Sequence, residues 1–338
     1  PSISSAPHEA DMAIVVTGAT GFVGTPLVAA LRTAGHDVIA LVRDVERAKQ
    51  HLRGDDSATA ATSKPREPGT KQRGSLHLVV AELETPGLWC DRLEGVDAII
   101  HLAGEPIAAK RWDARQKQLI RDSRVESTRT LVEAISKTST KPKALISASG
   151  IDYYAFASNK HDFDDDEVTE EQPAADTFLG RLCRDWEKEA AAAEAFGVRV
   201  ASMRTGLVLG KGGALAKLRR PFDLFAGGKI GSGRQWVSWI HLDDVVGAYL
   251  TAALDERYRG PFNLVTDSVR NAELAKALGA SLGKPTWLPV PAFAIKAAVG
   301  SEFAESILEG RRVVPAKLRA LDFHWKYPTL QAALAAAI

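Results

Sequence analysis

Thr17-Gly-Ala-Thr-Gly-Phe-Val-Gly24 follows the short apolar run Met12 to Val16 and opens a helical pattern from about Phe22 to Ala34. Glycines at such a junction let backbone N–H groups and the positive end of the helix dipole face a pyrophosphate. Gly18 makes the turn, Gly21 permits close approach and Gly24 lets the helix pack on the strand, while Thr17, Thr20, Phe22 and Val23 complete the loop. The motif also needs a returning strand, and Gly35-His36-Asp37 followed by Val38 to Val42 provides one. The chemistry indicated is dinucleotide binding. An NAD-preferring site places Asp or Glu about 20 residues after the glycines, to accept the ribose hydroxyls. Here that position holds Arg43, whose planar guanidinium suits a 2′-phosphate, with Arg47 or Lys49 one helical turn on as a second cation. NADP(H) is therefore expected ahead of NAD(H), although Asp44 follows immediately and argues the other way.

The elements that must position this loop are strands alternating with helices. Leu76 to Ala81, Ala98 to Leu102, Lys143 to Ser147 and Val198 to Met203 read as further buried strands, with helical stretches near Ala114 to Ser136 and Phe178 to Phe196. That alternation predicts an α/β fold with a Rossmann-type doubly wound parallel sheet over residues 12–210. Residues 54–75 hold hardly a large apolar side chain and are expected to loop out as a flexible insertion. Beyond about Gly210 the pattern changes to a Gly-rich stretch, an apolar run from Trp236 to Leu242, and helices near Asn271 to Leu282 and Pro291 to Glu309. Residues 211–338 are thus expected to form mainly a smaller C-terminal substrate lobe.

Composition excludes several function classes. The 338 residues are 45% hydrophobic and 25% charged, and 43 Lys and Arg balance 42 Asp and Glu, so no global field draws the chain to nucleic acid or an anionic surface. A small-molecule partner is expected. No run approaches the roughly 20 apolar residues that span a bilayer. Residues 1–11 lack the basic start and apolar middle of a signal peptide and read as a disordered lead-in. Cys90 and Cys183 form no metal-ligand spacing and no disulfide framework, which suits packing residues of a soluble protein in the cytoplasm or an organelle interior. His241 and Asp243-Asp244 fit no strong metal motif; they are expected to cap a helix beginning near Val245.

Beyond the glycine loop, His101-Leu-Ala-Gly104, Arg204 through Gly210 and His241-Leu-Asp-Asp244 resemble an extended short-chain dehydrogenase/reductase. Gly104-Glu-Pro-Ile-Ala-Ala-Lys-Arg-Trp112, Ser123-Arg124, Cys183-Arg-Asp-Trp-Glu187, Gly233-Arg-Gln-Trp-Val-Ser-Trp-Ile-His241 and Tyr327-Pro-Thr329 are similar to an atypical epimerase-family branch, the cell-division-inhibitor-like or sugar-nucleotide-epimerase-like group with a conserved C-terminal domain. The resemblance covers about Met12 to the C-terminus without the insertion. It implies that Glu82 stands near the adenine, that Leu83, Leu102, Ala103, Gly104, Glu105 and Arg124 belong to the cofactor site, and that Trp112, Trp236 and Trp239 reach a substrate cleft. Core packing is the alternative role for the three tryptophans.

In that wider family a Ser, a Tyr and a Lys four residues after the Tyr carry the chemistry, and this chain departs from it. Ser149 ends the fifth strand and suits the Ser role, but the helix reads Phe178-Leu-Gly-Arg-Leu-Cys183, with neither Tyr nor Lys. Tyr153 and Tyr154 lie just beyond Ser149 as substitute acids, and Glu105 with Lys110 follows the fourth strand; half-buried packing and plain solvation are their alternatives. Lys160, six residues after Tyr154, cannot share a helix face with it as an i+4 Lys would. Asp152 and Ala155 stand where the group more often has small residues or Gly. The expected activity is NADP(H)-dependent oxidoreductase or epimerase-like chemistry on a carbonyl or hydroxyl of a small molecule. The rival is a catalytically silent NADP(H)-binding regulator that acts through a protein partner.

Overall fold

The computed structural model describes residues 12–52, 73–108, 110–154 and 165–338. The expected lead-in (1–11), most of the expected insertion (54–75), Ala155 and Lys160 lie outside the described residues. The strands run β1 (Ala13–Thr17), β2 (Asp37–Val42), β3 (Leu76–Val80), β4 (Ala98–His101), β5 (Ala144–Gly150), β6 (Glu167–Val168), β7 (Arg199–Thr205), β8 (Leu207–Leu209), β9 (Trp236–His241), β10 (Gly260–Leu264), β11 (Asp267–Arg270) and β12 (Arg312–Val313). Seven of them form one parallel sheet in the order β10-β7-β5-β4-β1-β2-β3.

Parallel strands covered on both faces bury nearly every side chain, which is why β1 and β4 read as continuous apolar runs; β3, expected as a buried strand, lies at the sheet edge and leaves His77 and Val80 exposed. Along β1, Ile14 and Val16 pack toward the helices Gly24–Thr33 and Leu242–Leu254, while Val15 faces Leu131, Val132 and Ile135 of the helix Val125–Lys137. The order reverses between β1 and β4. In a doubly wound sheet that switch point opens the crevice where ligands bind.

The main sheet does not end near residue 210, as the linear reading expected. The chain leaves it after β7, builds β8 and β9, then returns through the helix Leu242–Leu254 to add β10 at the edge. The second core lies between the sheet β11-β9-β8 and the helices Gly213–Asp223, Asn271–Leu282 and Leu330–Ala337. β6 and β12 pair in parallel beside it.

Two helices predicted as continuous are broken. The stretch from Ala114 divides at Ser123-Arg124 into Ala114–Asp122, capped by Asp113 through Gln116 N–H at 2.7 Å, and Val125–Lys137. The stretch near Pro291 to Glu309 divides at Gly300 (φ 89°) into Ala292–Val299 and Ser301–Leu308. Among the described residues no helix is long and apolar enough to cross a membrane.

Candidate functional site

The glycine turn sits at the β1/β4 switch point and its geometry excludes side chains. A Cβ on Gly18, whose φ is +66°, would lie 2.8 Å from the Leu102 carbonyl carbon and 2.9 Å from Ala103 N. On Gly24 it would lie 2.1 Å from the Gly18 carbonyl oxygen. Gly21 is exposed and meets only that same carbonyl, at 3.1 Å, so its open side faces outward.

Thr17 holds the far wall together. Its hydroxyl is fully buried, lies 2.8 Å from His101 Nδ1 and accepts from both Leu102 N and Ala103 N at 3.2 Å. Thr128 Oγ1 donates to the Arg124 carbonyl at 2.5 Å, so it receives the proton of His101 Nε2 at 3.0 Å. His101 Nδ1 therefore accepts from Thr17. Burial pushes this imidazole from 6.5 down to about 4, so it stays neutral at pH 7 and fixes the end of β4 without adding charge. Thr17 thus anchors the wall; its hydroxyl is fully committed and has no proton left for a ligand.

The other residues of the expected cofactor set separate by burial. Arg43 is exposed at the end of β2 with no ion-pair partner among the described residues, while Asp44 accepts from Arg47 N at 3.0 Å and so serves the first turn of the helix Val45–Leu52. The competing carboxylate is occupied by capping. Glu82 is exposed after β3, and Leu83 is 8% exposed with its side chain in the core with Val15. Val23 packs against the other core, and Thr20 is half-buried. Phe22 turns its ring to Gly210, Gly212 and Gly213, whose Cβ positions fall 2.7–3.4 Å from it, and so ties the turn to the C-terminal lobe. Leu102 and Ala103 are half-buried, and Gly104 is exposed directly above the Arg124 guanidinium. Glu105 N donates to Ser123 Oγ at 2.9 Å, which explains the helix break at Ser123-Arg124: the break serves this loop.

At the end of β5, Ser149 Oγ donates to Glu187 Oε1 at 2.6 Å. Glu187 takes a bidentate grip from Arg204, with Nε at 2.8 Å and Nη2 at 2.7 Å. Arg204 Nη1 donates to the Tyr154 hydroxyl at 2.8 Å, and that hydroxyl donates to Asn263 Oδ1 at 2.6 Å. Asn263 Nδ2 reaches the Val314 carbonyl at 2.9 Å, so a continuous polar chain links β5, β7 and β10 to the C-terminal segment.

This corrects the expectation for Tyr154. Its ring is 2% exposed, its hydroxyl already donates and accepts, and burial pushes its pKa up to about 12, so it has no proton to offer in a cleft. Tyr153 differs: its half-buried ring stacks on the Arg204 guanidinium at 3.5 Å and its hydroxyl has no partner among the described residues. Glu187 and Arg204 were visible in the sequence only as motif members. The available signal was a charged residue at 204 inside the apolar strand, which demands a buried partner.

Asp152 is half-buried, accepts among the described residues only from its own backbone N–H, and lies beside Cys183, both reaching within 3.7 Å of a Cβ placed on Gly150. Burial pushes the carboxyl from 3.8 up to about 6 and the Cys183 thiol to about 12. Because folded Asp152 holds its proton to higher pH than in the unfolded chain, it opposes folding as pH rises from 3.8 to about 6, and the full cost remains above. Asp152→Asn is therefore expected to raise stability by about 1–2 kcal/mol at pH 8 and by nearly nothing at pH 3. Paired thermal melts at the two pH values check this; equal shifts at both would contradict it.

The three tryptophans have separate fates. Trp239 is 1% exposed inside the second core and does not reach a cleft, a correction that follows from its inward position on β9. Trp236 is half-buried between Arg270 at 3.8 Å and Arg312 at 5.4 Å. Trp112 packs on Phe178 and Phe303 at 5.2 and 5.0 Å and donates to the Ile107 carbonyl, joining the loop after β4 to both lobes. His241, not Asp243, caps the helix Leu242–Leu254 by accepting from Asp243 N at 3.1 Å. Asp244 instead holds Lys326 N and Tyr327 N, at 2.6 and 3.2 Å.

Comparison with known proteins places this geometry. Residues 14–264 match the model of the NAD dependent epimerase/dehydratase family. The chain belongs to that family. Residues 290–337 match a domain of unknown function, DUF1731. The chain is 38% identical to the Arabidopsis thaliana chloroplastic homolog of epimerase family protein SDR39U1, over 99% of this chain and 89% of that protein. It is 34% identical to an epimerase family protein of Mycobacterium leprae, over 96% and 95%. The crystal structure of human epimerase family protein SDR39U1 with NADPH aligns at TM-score 0.78 and 33% identity, covering 96% of this chain and 99% of that one. As a member of this epimerase family the chain is an atypical extended short-chain dehydrogenase/reductase with a Rossmann-like sheet.

Proposed function

We propose that this chain is an NADP(H)-dependent oxidoreductase or epimerase-like enzyme that acts on a carbonyl or hydroxyl of a small molecule. The observation that carries the reading is the turn at the switch point, where Gly18 and Gly24 leave no room for a Cβ and Gly21 opens outward. Such a cradle fits a pyrophosphate against backbone N–H groups. The human relative crystallised with NADPH supports the choice of cofactor, as does Arg43, exposed and without an ion-pair partner among the described residues while Asp44 caps a helix. When bound, NADP(H) supplies or accepts the reducing equivalent.

The residues of this chain do the rest. Ser149 spends its proton on Glu187 and has lone pairs left, so it accepts a hydrogen bond from a substrate hydroxyl. Asp152, whose carboxyl burial pushes up to about 6, is the group beside it that exchanges a proton near neutral pH, and Tyr153, its hydroxyl without a partner among the described residues, is a hydrogen-bond donor there. With Trp239 in the core, Trp112 and Trp236, both half-buried, are the expected cleft tryptophans still open to a substrate.

Fluorescence titration with NADPH and NADH tests the reading. The wild-type chain is expected to prefer NADPH, and Arg43→Asp to weaken NADPH binding about 10- to 100-fold, the loss of one or two charge-assisted hydrogen bonds, with little change for NADH. Equal binding of both by the wild-type chain would remove the NADP preference, and binding of neither would remove the oxidoreductase reading. A screen of carbonyl compounds for NADPH consumption then separates an enzyme from a silent binder.

A further inference from the structure

We infer that the C-terminal lobe docks on an anionic lipid surface, through the end of the helix Gly213–Asp223 and the stretch 284–296. Leu224, Phe225, Trp287 and Phe293 enter the headgroup layer there, and the surrounding Lys and Arg meet the lipid phosphates.

Among the described residues nine large apolar side chains are exposed, and five of them fall in these two stretches: Leu224, Phe225, Trp287, Leu288 and Phe293. Single exposed apolar residues are ordinary, but a cluster marks an interaction surface. The two stretches adjoin. Val290 N donates to the Lys229 carbonyl and Gly231 N to the Val290 carbonyl, both at 2.8 Å. Lys284 Nζ stands 3.8 Å from the centre of the Phe225 ring. The helix that follows, Ala292–Val299, reads Ala-Phe-Ala-Ile-Lys-Ala-Ala-Val, yet none of its residues is buried. A helix so apolar normally packs into a core. This one leaves Phe293 75% exposed, and Trp287, six residues before it, is 74% exposed.

The backbone adds a second observation. The helix Gly213–Asp223 ends with Phe225 N donating to the Phe222 carbonyl at 2.9 Å and Ala226 N to the Pro221 carbonyl at 2.8 Å. That closing pattern needs a left-handed residue, usually Gly, and Phe225 fills it with φ 58°. A bulky residue in this conformation is strained. Packing within the chain does not offset the strain, because the ring is left exposed.

Charge identifies the partner. Residues 219–229 and 284–296 hold Arg219, Arg220, Lys229, Lys284 and Lys296 against a single carboxylate, Asp223, which Arg219 engages at 3.2 Å. The balance of the whole chain, net +1, conceals this local excess. Its field reaches about 8 Å at physiological salt, so it acts on a surface already close by. Aromatic and Leu side chains bordered by Lys and Arg are what an interfacial segment sets at the boundary between headgroups and acyl chains. The cations then lie against lipid phosphates while their stems cover apolar surface. A second copy related by a two-fold axis would instead face these cations with the same cations. Eight helical residues are too few to cross a bilayer, so the lobe lies on the surface.

The test is co-sedimentation of the full chain with vesicles of phosphatidylcholine alone and of phosphatidylcholine mixed with phosphatidylglycerol. The chain is expected on the mixed vesicles only, and less of it as salt rises. Trp287→Ser combined with Phe293→Ser should lower the affinity about 10-fold or more, and Arg220→Glu combined with Lys296→Glu should do likewise. Both variants should keep the wild-type melting temperature, because the four side chains are exposed. Phe225→Gly should weaken vesicle binding and raise the melting temperature together, a pairing that a packing role for the ring would not give. Absence of the wild-type chain from the mixed vesicles, equal binding to neutral ones, or binding undiminished by the loss of Trp287 and Phe293 would each overturn the inference. A dimer in free solution that the same double variant dissociates, with no vesicle binding, would overturn it too and assign the face to a second copy.

Discussion

Glu187→Leu is expected to destabilise the fold by about 3–5 kcal/mol, because it leaves the Arg204 guanidinium, 3% exposed, without its bidentate partner. Arg204 joins four parts of the structure at once: Ser149 on β5 through Glu187, the Tyr154 hydroxyl, the Glu170 carbonyl, and the Tyr153 ring. Removing the anion strands the cation rather than merely deleting a bond. Glu187→Leu combined with Arg204→Leu should therefore recover part of the loss, although Tyr154 and Glu170 lose a donor. Chemical denaturation of the single and double variants measures this. A single variant as stable as wild type would show that the ion pair contributes nothing, and a double variant with additive losses would show the two side chains to be uncoupled.

Gly24→Ala carries the second large effect. The added carbon would sit 2.1 Å from the Gly18 carbonyl oxygen and 2.8 Å from Ala19 Cα, both backbone atoms with no rotamer to turn away. The start of the helix must move off β1, carrying its N–H groups away from the turn. NADPH affinity is expected to fall at least 100-fold, about 2.7 kcal/mol or more, with thermal destabilisation alongside. Gly247→Ala is the control: it lies in the helix Leu242–Leu254 with nothing within 4 Å of its Cβ position, and alanine there should stabilise by about 0.5–1 kcal/mol. Calorimetric titration with NADPH across both variants distinguishes a local clash from a general intolerance of glycine replacement.

The sequence by itself determined the parallel sheet, the glycine turn and the charge at position 43, because each depends on short-range rules. Buried parallel strands need continuous apolar runs, a helix entered from a tight turn needs glycine where backbone meets backbone, and the residue ending β2 follows at a set distance along one βαβ unit. The two helix breaks escaped that reading. Ser123 serves Glu105 N, eighteen positions earlier, and periodicity within a helix carries no record of such a partner.

Only the tertiary structure decided the roles of side chains whose partners are far away in sequence. Tyr153 and Tyr154 are adjacent, yet one stacks on Arg204 with its hydroxyl unpartnered among the described residues while the other is sealed by Arg204 and by Asn263, a residue 109 positions on. Trp236 and Trp239 share β9, and three residues of alternation put one between arginines and the other in the core. Arg124 and Arg204 are both buried cations in sequence motifs, and only packing gives Arg204 the Glu187 carboxylate and Arg124 two backbone carbonyls. Burial and hydrogen bonding set what these groups can do chemically, and both are created when distant segments meet, so local sequence leaves them open.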